Sequence, residues 1–98
     1  MHNYKIVIEY DGTNFVGWQQ QENGQSIQST LQEALFKLTG ENISIFGAGR
    51  TDAGVHAYGQ VASFNLNKKI EIDVIRDGLN QHLRPQPIAV QKAELVED

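Results

Sequence analysis

Residues 4–10 read Y-K-I-V-I-E-Y and are followed directly by Asp11 and Gly12. β-Branched and aromatic side chains dominate this segment, and an Asp-Gly pair is typical of a turn, so the segment predicts a β-strand. Farther along, residues 27–39 repeat apolar side chains at spacings of four, four and three, which predicts one stripe of an α-helix. The chain therefore begins with a strand and continues with a helix.

The ends of the predicted helices carry characteristic residues. Ser26 can accept a hydrogen bond from an otherwise unpaired backbone N–H at the start of the first helix, and Gly40 can end it in a left-handed turn. A second helix is predicted over residues 73–83, with Asp73 as its N-cap. Gly78 lies inside this helix, where a glycine costs about 1 kcal/mol relative to alanine.

Three more strands complete the predicted elements. Residues 43–46 form a short one and residues 55–66 a longer one, in which Gly59 weakens the middle or marks a bulge. Pro85 stops the second helix, because the residue before a proline is pushed out of the α region. Residues 87–95 form the last strand, at an edge of the sheet because a proline stands at its start. In the longest strand, the side chains predicted to be buried are Ala57, Val61, Phe64 and Leu66.

The resulting element order, β-α-β-β-α-β, defines the fold class. It predicts an α+β, ferredoxin-like domain, in which a four-stranded antiparallel sheet has both helices on one face. The length of 98 residues suits a single domain. Two connections are candidates for function: residues 11–25, because long ordered loops usually have one, and residues 47–56, because they are rich in glycine.

The composition excludes several kinds of site. The chain has no cysteine, which rules out disulfides, thiol catalysis and cysteine-bound zinc. His2, His56 and His82 lack metal-ligand spacing, so no metal is expected. No run of about 18 or more apolar residues and no signal peptide is present, so we expect a cytoplasmic protein with no membrane segment. The net charge of −4 argues against nucleic-acid binding unless cations cluster locally.

The glycine-rich loop, residues 47–56, reads G-A-G-R-T-D-A-G-V-H. It is not a dinucleotide fingerprint, because Asp52 occupies the third glycine position and a strand rather than a helix follows. It is not a Walker loop either, because no Lys-Ser/Thr pair follows Gly54. Residues 9–13, E-Y-D-G-T, are similar to the phosphatase motif D-x-D-G-T. However, Glu9 replaces the attacking aspartate, and the predicted sheet is not the doubly wound parallel sheet of those enzymes.

Arg50 and Asp52 in this loop allow two interpretations. They can form an exposed ion pair in a hairpin, which contributes about 0–1 kcal/mol. Alternatively, the glycines leave clearance for a bulky ligand and hold Asp52 as a carboxylate whose charged form the arginine favours. Such a carboxylate can act as a nucleophile or a base.

The first connection, residues 11–25, places aromatic rings beside amides. Phe15 and Trp18 stand next to Gln19 and Gln21. Either ring taken singly is more typical of a side chain that covers an edge of the core. Together with the amides, the rings also suit stacking on, and hydrogen bonding to, unpaired RNA bases.

Three blocks of the sequence together closely resemble the tRNA pseudouridine synthase A family. They are Y-D-G-T-N-F-V-G-W-Q-x-Q at residues 10–21, G-A-G-R-T-D-A-G-V-H-A-x-G-Q-V-A-x-F at 47–64 and L-N-Q-H-L-R-P-x-P-I-A-V at 79–90. The resemblance covers nearly the whole chain, and the G-R-T-D-A-G-V-H block is highly specific. It implies isomerisation of uridine to pseudouridine in the anticodon stem-loop of tRNA, without a metal or an organic cofactor.

The resemblance also implies roles for individual residues. Asp52 falls on the catalytic aspartate, and Arg50 falls on the arginine that holds the flipped-out nucleotide. Thr51 and His56 of the same block are expected to help position the substrate. The carboxylate can attack the base, attack the sugar or take a proton from the ribose. Pro87 departs from the family pattern, which usually has a carboxylate or an amide at this structural position.

Members of this family are longer than this chain and act as homodimers. Their second half supplies an aromatic residue that stacks on the uracil, together with basic residues around the pocket. The resemblance therefore predicts that residues 1–98 are the N-terminal half of a two-domain enzyme, and that alone they bind tRNA poorly and catalyse little. A non-catalytic RNA-binding module of the same fold is the alternative.

Overall fold

The computed structural model describes residues 1–96. Its strands form one antiparallel sheet in the order β2-β3-β1-β4. The predicted α+β, ferredoxin-like fold is therefore confirmed, as is the edge position of the last strand. The elements are β1 (His2–Tyr10), α1 (Ile27–Thr39), β2 (Phe46–Gly47), β3 (Ala57–Leu66), α2 (Ile72–Leu83) and β4 (Ile88–Leu95).

The core lies between one face of the sheet and the two helices. Alternate side chains of β1 point into it, because successive residues of a strand face opposite sides of a sheet. Each fully buried leucine or isoleucine contributes about 1.5–3 kcal/mol by leaving water. The fully buried side chains include Tyr4, Ile6, Ile8, Leu31, Leu35, Phe64, Ile75 and Leu79.

Helix α1 has the predicted ends. The Oγ of Ser26 accepts a hydrogen bond from the backbone N–H of Ser29 at 3.0 Å. The Ser29 hydroxyl in turn accepts from the Ser26 N–H at 3.2 Å, so each serine satisfies the other's backbone donor. Gly40 adopts a left-handed conformation and donates its N–H to the carbonyl of Phe36 at 2.8 Å.

Helix α2 differs from the prediction at its start. It begins at Ile72, so Asp73 lies inside the first turn and the prediction that it is the N-cap is wrong. In the first turn its carboxylate still faces the positive end of the helix dipole. Gly78 lies against α1: a Cβ there would lie 2.6 Å from Cδ1 of Leu38, so a larger residue would require the Leu38 side chain to shift.

The second strand is shorter than predicted and displaced along the chain. Only Phe46–Gly47 pairs with β3, while Ile45 is buried without joining the sheet. Amide side chains of α1 replace the missing strand partner. Gln32 accepts from the Ile45 N–H at 3.1 Å, and Gln28 donates to the Ile45 carbonyl at 3.0 Å. The alternating apolar residues of this segment therefore indicate buried side chains, but not pairing with a neighbouring strand.

Strand β3 contains an irregularity near Gly59, as predicted. Ile8 pairs with Gln60, whereas two residues later Tyr10 pairs with Ala57, so β3 has one extra residue in this interval. The strand begins at Ala57 rather than at residue 55. Val61 is only half-buried, because the core-facing residues of β3 are its even-numbered neighbours Ala62, Phe64 and Leu66.

Three connections meet at one end of the sheet. Tyr10, the last residue of β1, pairs with Ala57 at the start of β3 and with Ile88 at the start of β4. The backbone N–H of Asp11 donates to the carbonyl of Pro87 at 3.0 Å, which joins two of the connections directly. Helix α2 ends before Pro85, as predicted. Neither helix within residues 1–96 is long and apolar enough to cross a membrane.

Candidate active site

A cavity of about 320 Å³ lies between the first connection and the glycine-rich loop. It brings together five of the residues singled out above: Gln19, Gln21, Arg50, Thr51 and Asp52. The remaining lining residues are Val16, Asn23 and Ala53. One guanidinium, one carboxylate and several amides thus share a single space, which can take a charged, hydrogen-bonding ligand.

Asp52 and Arg50 do not neutralise each other. Both are exposed, and within residues 1–96 neither side chain has a hydrogen bond or an ion pair. The interpretation of the two residues as a surface ion pair is therefore not supported. The loop itself is ordered by its backbone, since the N–H of Val55 donates to the Asp52 carbonyl at 3.2 Å. Both charged groups remain available to a ligand.

Backbone contacts with the first connection hold the glycine-rich loop in place. The Trp18 N–H donates to the Thr51 carbonyl at 3.0 Å, and the Gly54 N–H donates to the Phe15 carbonyl at 3.2 Å. Gly17 makes this approach possible: its φ is +108°, and a Cβ there would lie 2.5 Å from the Thr51 carbonyl oxygen. The backbone around Asp52 is therefore held against the first connection.

A second set of contacts lies nearer the sheet. The hydroxyls of Tyr10 and Thr51 are 2.8 Å apart and share a hydrogen bond, although 41 positions separate them in sequence. A Cβ on Gly12 would lie 1.9 Å from the Val55 carbonyl oxygen, so the two backbones touch. Thr51 lines the cavity, but its hydroxyl faces Tyr10, which indicates that it positions the loop.

Phe15 and Trp18 do not lie on the surface. Only 4% of Phe15 and 3% of Trp18 are exposed, so neither ring offers a face to a base in this structure. Both belong to the core cluster and cover its edge beneath the loops. Gly47 makes room for the indole, because a Cβ there would lie 2.7 Å from Cε2 of Trp18. This glycine of the loop therefore gives clearance to a side chain of the same domain rather than to a nucleotide.

The amides of the first connection are exposed. The Gln21 side chain donates to the Val16 carbonyl at 3.1 Å, which fixes the turn that carries both glutamines. Gln60, which was not singled out from the sequence, donates from its side chain to the Gly49 carbonyl at 2.5 Å and braces the start of the glycine-rich loop. Gln60 lies in the block of residues 47–64 that carries the family resemblance, but its sequence position alone does not indicate the contact with Gly49.

His56 lines a different cavity, of about 430 Å³, which Glu9, Asp11 and Tyr58 also line. Its Nδ1 accepts a hydrogen bond from the Gly12 N–H at 3.0 Å. Beside it, the Thr13 hydroxyl and backbone N–H, followed by His56, hold the pKa of the Asp11 carboxyl below its ordinary value of 3.8. His56 therefore contacts the first connection rather than the cavity that holds Asp52.

Within residues 1–96, no group of three or more histidine, aspartate or glutamate side chains is arranged to hold a metal ion. The cavity that contains Asp52 has a single carboxylate and no imidazole among its lining residues. The chemistry that this cavity offers is therefore that of one carboxylate beside one guanidinium.

The fold and the site define a ferredoxin-like domain with an unpaired carboxylate on a loop held by backbone contacts, and comparison with known proteins identifies the family. The sequence model of the family described as tRNA pseudouridine synthase matches residues 6–98. The chain belongs to the tRNA pseudouridine synthase family.

Several curated relatives are similar to the chain over its whole length. It is 56% identical over 96 residues to tRNA pseudouridine synthase A of Afipia carboxidovorans, covering 98% of this chain and 39% of that protein. The protein of the same name from Parvibaculum lavamentivorans is 52% identical over 98 residues, covering 100% and 40% of the two chains. That from Rhodopseudomonas palustris is 56% identical with the same coverage. The chain thus spans about two-fifths of the length of these relatives.

Proposed function

We propose that this chain is the N-terminal, aspartate-bearing domain of a tRNA pseudouridine synthase that acts in the cytoplasm on uridines of the anticodon stem-loop. The observation that supports this most directly is the unpaired carboxylate of Asp52, held by the backbone in one cavity with Arg50. The relatives at 52–56% identity carry the same activity in their names.

The reaction requires no redox partner. The glycosidic C–N bond of uridine breaks, the uracil turns, and a C–C bond forms from the same sugar carbon. The ring carbon loses a proton and the released nitrogen gains one, so product and substrate have the same atoms. Asp52 can attack the base, attack the sugar or take a proton from the ribose, and each role needs an ionised carboxylate within reach.

Arg50 and the amides serve to bind and position. A uridine inside a stem must leave its stack to reach Asp52, which costs a few kcal/mol. An arginine can hold a phosphate through paired N–H donors or fill the vacated space. Gln19 and Gln21 offer both donors and acceptors, as the uracil edge requires. With Phe15 and Trp18 buried, the amides and Arg50 are the groups assigned to substrate contact.

The cavity is open, and we infer that other parts of the enzyme complete it. The charge of −4 on these 98 residues is unfavourable for binding tRNA. We propose that the remainder of the protein and a second copy in a homodimer supply the missing positive surface and the stacking aromatic ring. Residues 1–98 by themselves are then expected to bind tRNA weakly and to turn it over slowly.

The decisive experiment maps pseudouridine in tRNA from cells that lack the gene and carry a rescue copy. A rescue copy with Asp52→Asn is expected to leave the target uridines unmodified, a loss of more than about a thousandfold in rate. Glu22→Gln is the matched control: it removes an exposed carboxylate from the first connection, outside the cavity, and is expected to restore modification.

Binding of purified protein to tRNA separates the two functional alternatives. Retained binding with lost modification in Asp52→Asn supports the catalytic assignment. Modification that persists in this variant would remove Asp52 from the mechanism. If the unsubstituted full-length protein binds tRNA but forms no pseudouridine, the chain is a non-catalytic RNA-binding module.

A further inference from the structure

His56 is held by a contact that only one of its protonation states allows. The Gly12 N–H points at Nδ1 from 3.0 Å, so Nδ1 must carry a lone pair and the ring proton must lie on Nε2. The Oδ1 atom of Asp11 lies 3.2 Å from the same Nδ1, and that contact is attractive only if Nδ1 carries a proton. The two contacts therefore exclude each other.

Geometry favours the contact with Gly12 in the neutral ring. The hydrogen bond satisfies a backbone donor, whereas the Asp11 oxygen already accepts from the N–H and the hydroxyl of Thr13. When the ring is protonated, both of its nitrogens become donors. Nδ1 then turns from an acceptor for Gly12 into a donor to the Asp11 carboxylate, and the Gly12 N–H loses its partner.

This contact lies where the glycine-rich loop touches the first connection. Gly12 is already against the carbonyl of Val55, the residue before His56, and the N–H of Val55 closes a turn onto the Asp52 carbonyl. His56 is therefore connected to Asp52 through its peptide bond to Val55 and the hydrogen bond between Val55 and Asp52. Misplacing a reacting group by about 1 Å can cost about a hundredfold in rate.

We propose that neutral His56 is a positioning residue for Asp52. Protonation of His56 replaces its hydrogen bond with Gly12 by one with Asp11, and this exchange loosens the glycine-rich loop. The expected effect on rate rests on the proposed function, whereas the exchange of hydrogen bonds at His56 does not.

Imidazole is the only side-chain type lining this cavity that ordinarily changes charge near neutral pH. Carboxylates and phenols ordinarily titrate outside pH 5–8, and histidine titrates within it. Among the described residues, no lysine or arginine lines the cavity. Gln86 and Pro87, from the connection that precedes β4, do not titrate. The titratable residues that line this cavity with His56 are Glu9 and Tyr10 from β1, Asp11 from the first connection and Tyr58 from β3.

Two substitutions distinguish the role of His56 as a hydrogen-bond acceptor for Gly12 from the effect of its protonation. His56→Asn places a carbonyl oxygen near the position of Nδ1 and does not titrate, whereas His56→Gln places its polar atoms nearer to Nε2. With the full-length gene product, we expect His56→Gln to lower kcat for tRNA by about tenfold to a hundredfold with little change in KM. His56→Asn is expected to keep most of the kcat of the unsubstituted protein. The unsubstituted protein is expected to lose kcat between pH 7 and about pH 5.5, and His56→Asn should not show this loss.

A measurement without turnover tests the exchange directly. In the ¹⁵N-labelled full-length protein, the Gly12 amide and His56 Nδ1 resonances are expected to shift together with one midpoint as pH falls. In His56→Asn the Gly12 amide should stay constant. A Gly12 amide that ignores the titration of His56, or an acid limb of kcat that is unchanged in His56→Asn, would overturn the proposal. Loss of all turnover with the coupled shift intact would count against the proposed function alone.

Discussion

The helix side of the sheet and its loop end are stabilised by different interactions. On the helix side, apolar side chains such as Leu35 and Ile75 pack together in a buried core. At the loop end, the glycine-rich loop is held by backbone hydrogen bonds and by glycines that let one backbone touch another. The core therefore depends on side-chain volume, whereas the loop end depends on the absence of side chains at its glycines. An added methyl group at such a glycine is expected to displace the loop backbone.

Among substitutions that leave the charged groups of the cavity unchanged, the largest expected effect on activity comes from Gly12→Ala. The new Cβ would lie 1.9 Å from the Val55 carbonyl oxygen, so one of the two backbones must move. We expect pseudouridine formation to fall by about a hundredfold or more, with the far-ultraviolet circular dichroism spectrum retained. Gly59→Ala is the control, because nothing lies within 4 Å of its Cβ position, and it should remain close to the unsubstituted protein.

The largest expected effect on stability comes from the other region. Leu35→Ala leaves a cavity in the fully buried core and is expected to lower the free energy of unfolding by about 2–5 kcal/mol. Phe36→Ala, at the next position of the same helix, truncates a side chain that is 48% exposed, and should cost less than about 1 kcal/mol. Equal losses in urea unfolding would show that α1 is not packed as described.

Tyr10→Phe tests a link between the two regions. Removing the hydroxyl breaks the hydrogen bond to Thr51 while the ring remains in the core, so we expect a loss of about 0.5–1.5 kcal/mol in stability. A fall in kcat should accompany it, since Thr51 adjoins Asp52. Tyr58→Phe, at a ring that is 83% exposed, serves as the comparison in both measurements. If both substitutions act alike, the link does not position the loop.

The smallest effect concerns acid stability of the first connection. The pKa of Asp11 is lowered in the folded state, so its ionised form stabilises the fold above the ordinary value of 3.8, and this stabilisation is lost as pH falls through the lowered pKa. Asp11→Asn is therefore expected to reduce the fall in melting temperature between about pH 5 and pH 3. Glu22→Gln should leave that fall unchanged. The reverse result would place the titrating group elsewhere.

The sequence allows the core region to be predicted better than the loop end. Helix α1 follows from local signals, because the apolar stripe, Ser26 and Gly40 all lie within one segment. The second strand was misplaced, because whether Ile45 pairs with a strand or with glutamine side chains depends on a helix that is distant in sequence. Phe15 was similarly ambiguous, since the same ring can cover a core or face a ligand.

The sequence singled out residues that the fold brings into one cavity, but it did not indicate which contacts support the loop that carries them. The cavity does contain Asp52 beside Arg50 and Gln19. The contacts of Gly12 and Gly17 with the glycine-rich loop join residues more than 30 positions apart, and a glycine alone does not indicate which backbone it will touch. Only the folded sheet brings these connections to the same end.

The close approach of Gly12 to Val55 has a consequence for protein engineering. The ten residues of the glycine-rich loop do not constitute a portable module, because their shape is imposed by an underlying segment from elsewhere in the chain. Transplanting them onto another ferredoxin-like scaffold would transfer Arg50 and Asp52 without the first connection, which determines the shape of the loop. A successful graft would therefore have to transfer both connections together.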